Sequence, residues 1–389
     1  VPTHDVDLEA LRAERLVRLQ AAMRAHGAEA CLLFNQANVR YATGTAAMTV
    51  YSNGTFIRCA LVPAEGAPIL FEHPKLLYRV RPIVADVRPM PAWEFSDDPD
   101  ADARAWAGEI ALALGDAGVD ARELFVDKLG TPAFAALSAA GFSFRDTGSI
   151  TLDAREVKTP QELRLFDVNA RIGMKMLERF EREVAPGVRE RDLLAAMTDT
   201  LLREGGEYLI SRACVSGPNT NPWNLEASDR AAEPGDLVFV DTDAVGYQGY
   251  FIDVSRTFLC GDRDATPPQR EAYRVAHDWM QAAIAELRPG LTMREYAERV
   301  PALPEKYRPQ RYEVLAHQAG LEDEGPSVAY AEDPQPNGER ILKEHSVICL
   351  EAYVGEVGAR DGVKLEDQLV LTADGARVLI PYPYCDALL

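Results

Sequence analysis

Apolar residues recur at helical spacing over residues 7–26, at Leu8, Leu11, Leu16, Leu19 and Met23, and Gly27 stops the run. That pattern predicts an amphipathic helix. Residues 30–34 form a short apolar run that predicts a strand, with a polar loop expected over 35–44. Two more strands are expected at 55–62 and 68–72, around the turn-forming Pro63-Ala64-Glu65-Gly66. The Ala-rich stretch 100–118 reads as a helix, and 124–127 as another strand. Helical and extended patterns thus mix through residues 1–150, which predicts an α/β amino-terminal domain.

A boundary follows, with a linker expected over 151–158 and a second domain over 159–389. Thr159-Pro160-Gln161-Glu162 is a helix start: Thr is suited to cap, Pro to the first helical position and Glu to the third. The helix it opens should run to about Val184, and a second should cover 189–204 before Gly205-Gly206. Beyond it the pattern changes. The apolar strand 237–240 runs straight into Asp241-Thr242-Asp243, and a second strand over 250–258 carries Asp253. After helices expected at 268–287 and 292–300 the arrangement recurs: an apolar strand 347–350 runs into Glu351, and a strand over 363–372 carries Glu366. Two apolar hairpins with an acid on each strand predict an α+β domain with a pseudo-two-fold internal duplication.

Acids at the ends of apolar strands need partners, because a lone buried charge costs several kcal/mol. Asp241 and Asp243 are two apart, so on a strand both would face one side. Together with Asp253, Glu351 and Glu366 they form a set that paired divalent cations would neutralise. His317, after the apolar Val314-Leu315-Ala316, is the histidine best placed to complete it. Taken singly, each piece has a plainer reading: Asp-x-Asp as a strand end, Glu366-Asp367 as a solvated edge, His317 as a core histidine. It is the matched pair of hairpins that favours metal.

Composition narrows the classes. The formal net charge of −20 leaves no basic footprint for nucleic acid, and no apolar run is long enough to span a membrane. The six cysteines are scattered, without a C-x-x-C pair, and no signal peptide is visible; both features suit a cytoplasmic protein with reduced thiols.

The ordered set Asp241, Gly249-Tyr250-x-x-Asp253-x-x-Arg256-Thr257, His317, Glu351 and Lys364-x-Glu366-Asp367 resembles the metal ligands of the creatinase, prolidase and methionine-aminopeptidase superfamily. Asn38-Val39-Arg40-Tyr41-Ala42-Thr43-Gly44 resembles, more weakly, that superfamily's amino-terminal domain. The resemblance implies a creatinase-like domain followed by a pita-bread catalytic domain, with two divalent metals held by Asp241, Asp243, Asp253, His317, Glu351 and Glu366.

Within the superfamily, the peptidases' additional histidines are missing: the corresponding positions are Asn224, Glu313 and Glu324. The aspartate spacing also departs, since a peptidase's first ligand would fall on Thr242. The Asp241-x-Asp243 form resembles the dimethylsulfoniopropionate lyase branch, as do Ser216-Gly217-Pro218-Asn219, Tyr312 and Asp323. That resemblance implies Asp323 as the base and Tyr312 as part of the substrate pocket, with Tyr51 and Trp223 as further aromatic candidates for a cationic head group. Tyr51 stands where the lyases carry Trp, and Gly54 where they carry a histidine. The expected activity is β-elimination from a small 3-substituted carboxylate, with iron the first metal to test and manganese, zinc or cobalt as alternatives. A homodimer is implied. The rival expectations are an Xaa-Pro peptidase or creatinase-like C–N hydrolase, and a metal-free binding module of the same fold.

Overall fold

A computed structural model describes residues 6–52 and 56–389; the side chains of Tyr51 and Ser52, and all of Gly54, lie outside the described residues. The chain divides into two compact units, Asp7–Arg155 and Glu156–Leu389, with Val6 joining the second.

The first unit is built on strands β1 (Ala30–Leu33), β2 (Cys59–Pro63), β3 (Ile69–Glu72), β4 (Asp86–Pro89), β5 (Glu123–Val126) and β6 (Ser143–Asp146). Their order in the sheet is β4-β3-β2-β1-β5-β6. β1 runs antiparallel to β2 and parallel to β5, so the sheet is mixed. The helix Leu8–Ala25 begins at Asp7, whose carboxylate accepts the amides of Glu9 and Ala10. The helix Pro99–Asp116 buries Trp106, Ile110 and Leu114 in one core with Leu32, Leu61 and Phe71. Two expectations need correcting. Residues 36–43 are a helix, not a loop: Asn35 caps it and Gly44, at φ +73°, ends it in the left-handed region. Residues 151–155 belong to the helix Gly148–Arg155, so that part of the expected linker is ordered secondary structure.

In the second unit Thr159 caps the helix Pro160–Glu183 in a full capping box with Glu162, as its sequence requires. Gly173 lets that helix lie close to its neighbours, since a Cβ there would meet Ile252 Cγ2 at 2.7 Å. A five-stranded antiparallel sheet runs in the order Asp323–Val328, Ala316–Ala319, Val347–Gly355, Gly362–Thr372, Gly375–Val378. Alternation sorts its long strands into two faces. Ile348, Leu350, Ala352, Leu365 and Leu369 pack in a core with Tyr273, Ala276 and Met280 of the helix Pro267–Glu286. Cys349, Glu351, Lys364 and Glu366 are left to the other face. The strand Leu237–Asp241 pairs with Ser255–Leu259 in a separate sheet, Asp241 opposite Ser255, while Glu351 lies opposite Glu366 in the other hairpin. Thr257 Oγ1 stitches the hairpins together, donating to Lys364 O at 2.7 Å and accepting the Lys364 amide at 3.1 Å.

The expected continuous strand over 250–258 is broken. It is Phe251–Ile252 and Ser255–Leu259, with Asp253 at the break. Asp243 is likewise not on the strand with Asp241: the strand ends at Asp241, and Asp243 takes φ +34°. In both places the backbone leaves the ladder, so strand alternation does not set these two side chains.

Candidate metal centre

Long-range register gathers the acids. Asp241 arrives at the end of one strand, Asp253 at the break in its partner, and Glu351 and Glu366 on paired strands of the second hairpin. His317 comes from the middle of Ala316–Ala319, opposite Cys349. Three overlapping groups result, each with its possible ligand atoms within 4.8 Å of one another: Asp241, Asp243 and Asp253; Asp241, Glu351 and Glu366; Asp253, His317, Cys349 and Glu366. All six expected ligands are therefore brought together. Cys349 is an addition that the sequence reading passed over, although its position two before Glu351 on an alternating strand puts it on the same face.

His317 Nε2 lies 2.8 Å from Glu351 Oε1, 3.8 Å from Asp253 Oδ2 and 3.9 Å from Glu366 Oε1. Its Nδ1 lies 3.0 Å from Asp323 Oδ1 and 3.0 Å from Gln318 O. Ser255 Oγ donates to Glu366 Oε2 at 3.0 Å, and Arg256, ion-paired to Asp367 at 2.7 Å, donates to Glu366 O at 2.6 Å. These bonds fix Glu366 from behind. Its Oε1, like Asp241 Oδ1, is buried and accepts no hydrogen bond. Buried carboxylate oxygens without donors are costly in a protein and ordinary as ligands of a cation, so the donor set fits divalent metal.

The electrostatics agree. Burial, then the charge of Asp241, pushes Asp243 up to about 7. Burial, then Asp243 and Asp241, carries Asp253 well above the carboxylate range, and burial, then Asp253 and Glu351, does the same for Glu366. Burial opposes the His317 imidazolium, yet hydrogen bonds to Asp323 and Glu351 raise its pKa well above the usual value. Chelator-treated protein should accordingly lose stability as pH rises from the ordinary Asp value of 3.8 towards about 7. Over that interval the unfolded chain releases the Asp243 proton that the folded chain keeps, so the folded state binds more protons and stability falls with pH. Urea unfolding at several pH values, with and without added metal, checks this; a flat profile for the stripped protein would contradict it.

Lys364 is the second feature that sequence reading left without a role. Its buried ammonium contacts Asp241 Oδ2, with Glu351 Oε2 at 2.7 Å and Glu366 Oε2 at 3.7 Å. Burial lowers its pKa, but the three carboxylates more than offset this and keep it charged. Trp223 and Tyr312, with ring centroids 4.8 Å apart, face that ammonium. Tyr51 falls outside this description.

The positions where peptidases carry histidine are occupied differently. Asn224 and Glu313 are exposed. Glu324 is turned away into a buried ion pair with Lys158, 2.9 Å long, and also accepts the amide of Leu321. Its neighbour Asp323 points the other way, towards His317, with its side chain 58% exposed. The Ser216-Gly217-Pro218-Asn219 segment is held by buried Glu190, which accepts the Ser216 amide and hydroxyl and Asn219 Nδ2, a structural anchorage. Among the described residues, the unit's other histidines, His277 and His345, pair with the adjacent Asp278 and Glu344.

The model for metallopeptidase family M24 matches residues 165–373, and that for the creatinase/prolidase N-terminal domain matches residues 15–157. A dimethylsulfoniopropionate lyase of Roseovarius nubinhibens is 32% identical, covering 98% of this chain and 88% of its own length. An Xaa-Pro dipeptidase of Pyrococcus furiosus is 28% identical over 61% of this chain and 66% of its own. Among solved structures, an Xaa-Pro dipeptidase from Bacillus anthracis matches with a TM-score of 0.79 at 20% identity, covering 96% of this chain and 98% of its own. That likeness shows the two-domain pita-bread fold.

Proposed function

We propose, from the premise that this chain belongs to metallopeptidase family M24, that it is a lyase acting by β-elimination on a small 3-substituted carboxylate such as dimethylsulfoniopropionate. The observation that carries the reading is the pairing of an acid cluster with one imidazole and a half-exposed carboxylate, Asp323, at its edge. Similarity along nearly the whole chain to proteins named as dimethylsulfoniopropionate lyases supports it.

The ligands in this reading are Asp241, Asp243, Asp253, His317, Glu351 and Glu366, with two divalent ions, iron first. When bound, the cations supply positive charge that stabilises the negative charge developing beside a substrate carboxylate. Asp323 takes the proton from C2, the C2–H electrons form the C2–C3 double bond, and the C3–S bond breaks with its electrons leaving on sulfur. The products are acrylate, dimethyl sulfide and a proton. His317, hydrogen-bonded to Asp323, orients the base. Tyr312 and Trp223, with ring centroids 4.8 Å apart, form the aromatic wall for the cationic head. No attacking water is required, so replacement of the peptidase histidines is tolerated.

The dipeptidase similarity favours a second reading, Xaa-Pro hydrolysis. It needs a proton donor near the leaving nitrogen, and the histidine positions that would supply one hold Asn224, Glu313 and the paired Glu324. The free cysteines suit a cytoplasmic enzyme, and the resemblance of the sequence to the lyase branch supports a homodimer.

The test is headspace detection of dimethyl sulfide beside proline release from an Xaa-Pro dipeptide, on one iron-loaded sample. Dimethyl sulfide without proline is expected. Proline release at ordinary enzyme rates with no dimethyl sulfide would replace the lyase reading by the hydrolase.

A further inference from the structure

Lys364 stands on the site face of the Gly362–Thr372 strand, two residues before Glu366, and is 1% exposed. The three carboxylates its ammonium approaches, Asp241, Glu351 and Glu366, are themselves one of the groups whose oxygens lie close enough to hold a cation. On its other side stand the rings of Tyr312 at 4.8 Å and Trp223 at 5.9 Å. Carboxylates on one side and aromatic faces on the other make a cation-binding box. The chain fills that box from its own sequence.

We propose that Lys364 is a resident counter-ion that competes with a divalent metal for the Asp241–Glu351–Glu366 position, so that the two cations bind with unequal affinity. This rests on the two-cation reading above. Five ionised carboxylates are balanced by one ammonium and two divalent ions, so the lysine belongs to the charge balance of the loaded site. It cannot, however, share oxygens with a metal at no cost. A divalent ion entering between Asp241 and Glu351 meets a like charge at close range, in surroundings that screen it poorly. The ammonium must withdraw from at least one carboxylate, which its flexible four-carbon stem permits without backbone movement. The Asp253–His317–Cys349–Glu366 group shares only Glu366 with the lysine, at 3.7 Å, so a metal held there is opposed less. Loading is therefore ordered: that position fills first, and the lysine-guarded one second.

The experiment is a Mn²⁺ titration of the chelator-stripped full chain, with free Mn²⁺ followed by electron paramagnetic resonance. One tight ion and a second bound about tenfold or more weakly are expected for the unaltered chain. Lys364→Met should tighten the second ion by about tenfold or more and leave the first within about threefold, whereas Lys364→Arg should preserve the gap. Two ions of equal affinity in the unaltered chain, or a second ion unchanged or weakened in Lys364→Met, overturns the proposal. Lys364→Gln, neutral but able to hydrogen-bond, gives the same comparison should the Met variant fail to fold by circular dichroism. A chain that binds no Mn²⁺ in any form sinks the two-cation reading as well; one that binds two ions indifferently to residue 364 sinks this inference alone.

Discussion

Asp323→Asn is expected to lower turnover of a 3-sulfoniopropionate by about 10²–10⁴-fold, the usual contribution of a positioned general base, with metal content unchanged. The choice of Asn matters. Asp323 accepts from His317 Nδ1 at 3.0 Å, so it could act only by holding the imidazole. Asn retains an acceptor oxygen at that place and removes only the capacity to take a proton. If the residue were merely an orienting group, Asn would be nearly silent and Ala would lose metal. If it is the base, Asn and Ala both lose turnover, and Asn keeps its metal. The readouts are initial rates of dimethyl sulfide release and elemental analysis of the same preparations. Full turnover in Asp323→Asn would end the assignment. The geometry favours the base: a side chain 58% exposed can reach a substrate, which none of the buried acids can do as freely.

Glu366→Gln is expected to abolish bound metal and with it the activity. Glu366 belongs to two of the three ligand groups, and its buried Oε1 has no hydrogen-bond donor. Gln keeps the size and can accept the Ser255 hydroxyl through its amide oxygen, but removes the charge that would hold the cations. Because a ligand that binds only the folded state stabilises it, holding metal at a thousandfold its Kd is worth about 4 kcal/mol. Loss of metal should then lower Tm by roughly 10 °C, at about 2–4 °C per kcal/mol. Without metal the order should invert: burial and the charges of Asp253 and Glu351 disfavour ionised Glu366, so the stripped Gln variant should melt no lower than the stripped parent. Differential scanning calorimetry with and without metal separates the two effects. A Gln variant that retains two metals per chain would refute its role as a ligand.

The helix starts were legible because their determinants are local. Thr159 and Glu162 lie three apart and satisfy each other's amides, whatever surrounds them. The long strands were legible as apolar runs over 347–350 and 363–372, each with an acid; the first continues to Gly355, and only the structure separates its helix-facing set from its site-facing set. The same local logic, given more weight, would have found the helix Gln36–Thr43 between its Asn cap and its Gly stop. The break at Asp253 and the left-handed turn at Asp243 were not legible, since each depends on how the chain passes between sheets.

By itself the sequence determined the two-part architecture, the candidate carboxylates and histidine and the absence of the peptidase's extra imidazoles, because residue identity and short-range spacing carry those. Only the tertiary structure decided that Cys349 lies beside Asp253, His317 and Glu366, that Glu324 turns to Lys158 while Asp323 turns to His317, and that Lys364 enters the acid cluster. Each of those outcomes depends on which distant strand lies alongside and in what register. A one-residue slip would reverse every face, and no local pattern records that choice.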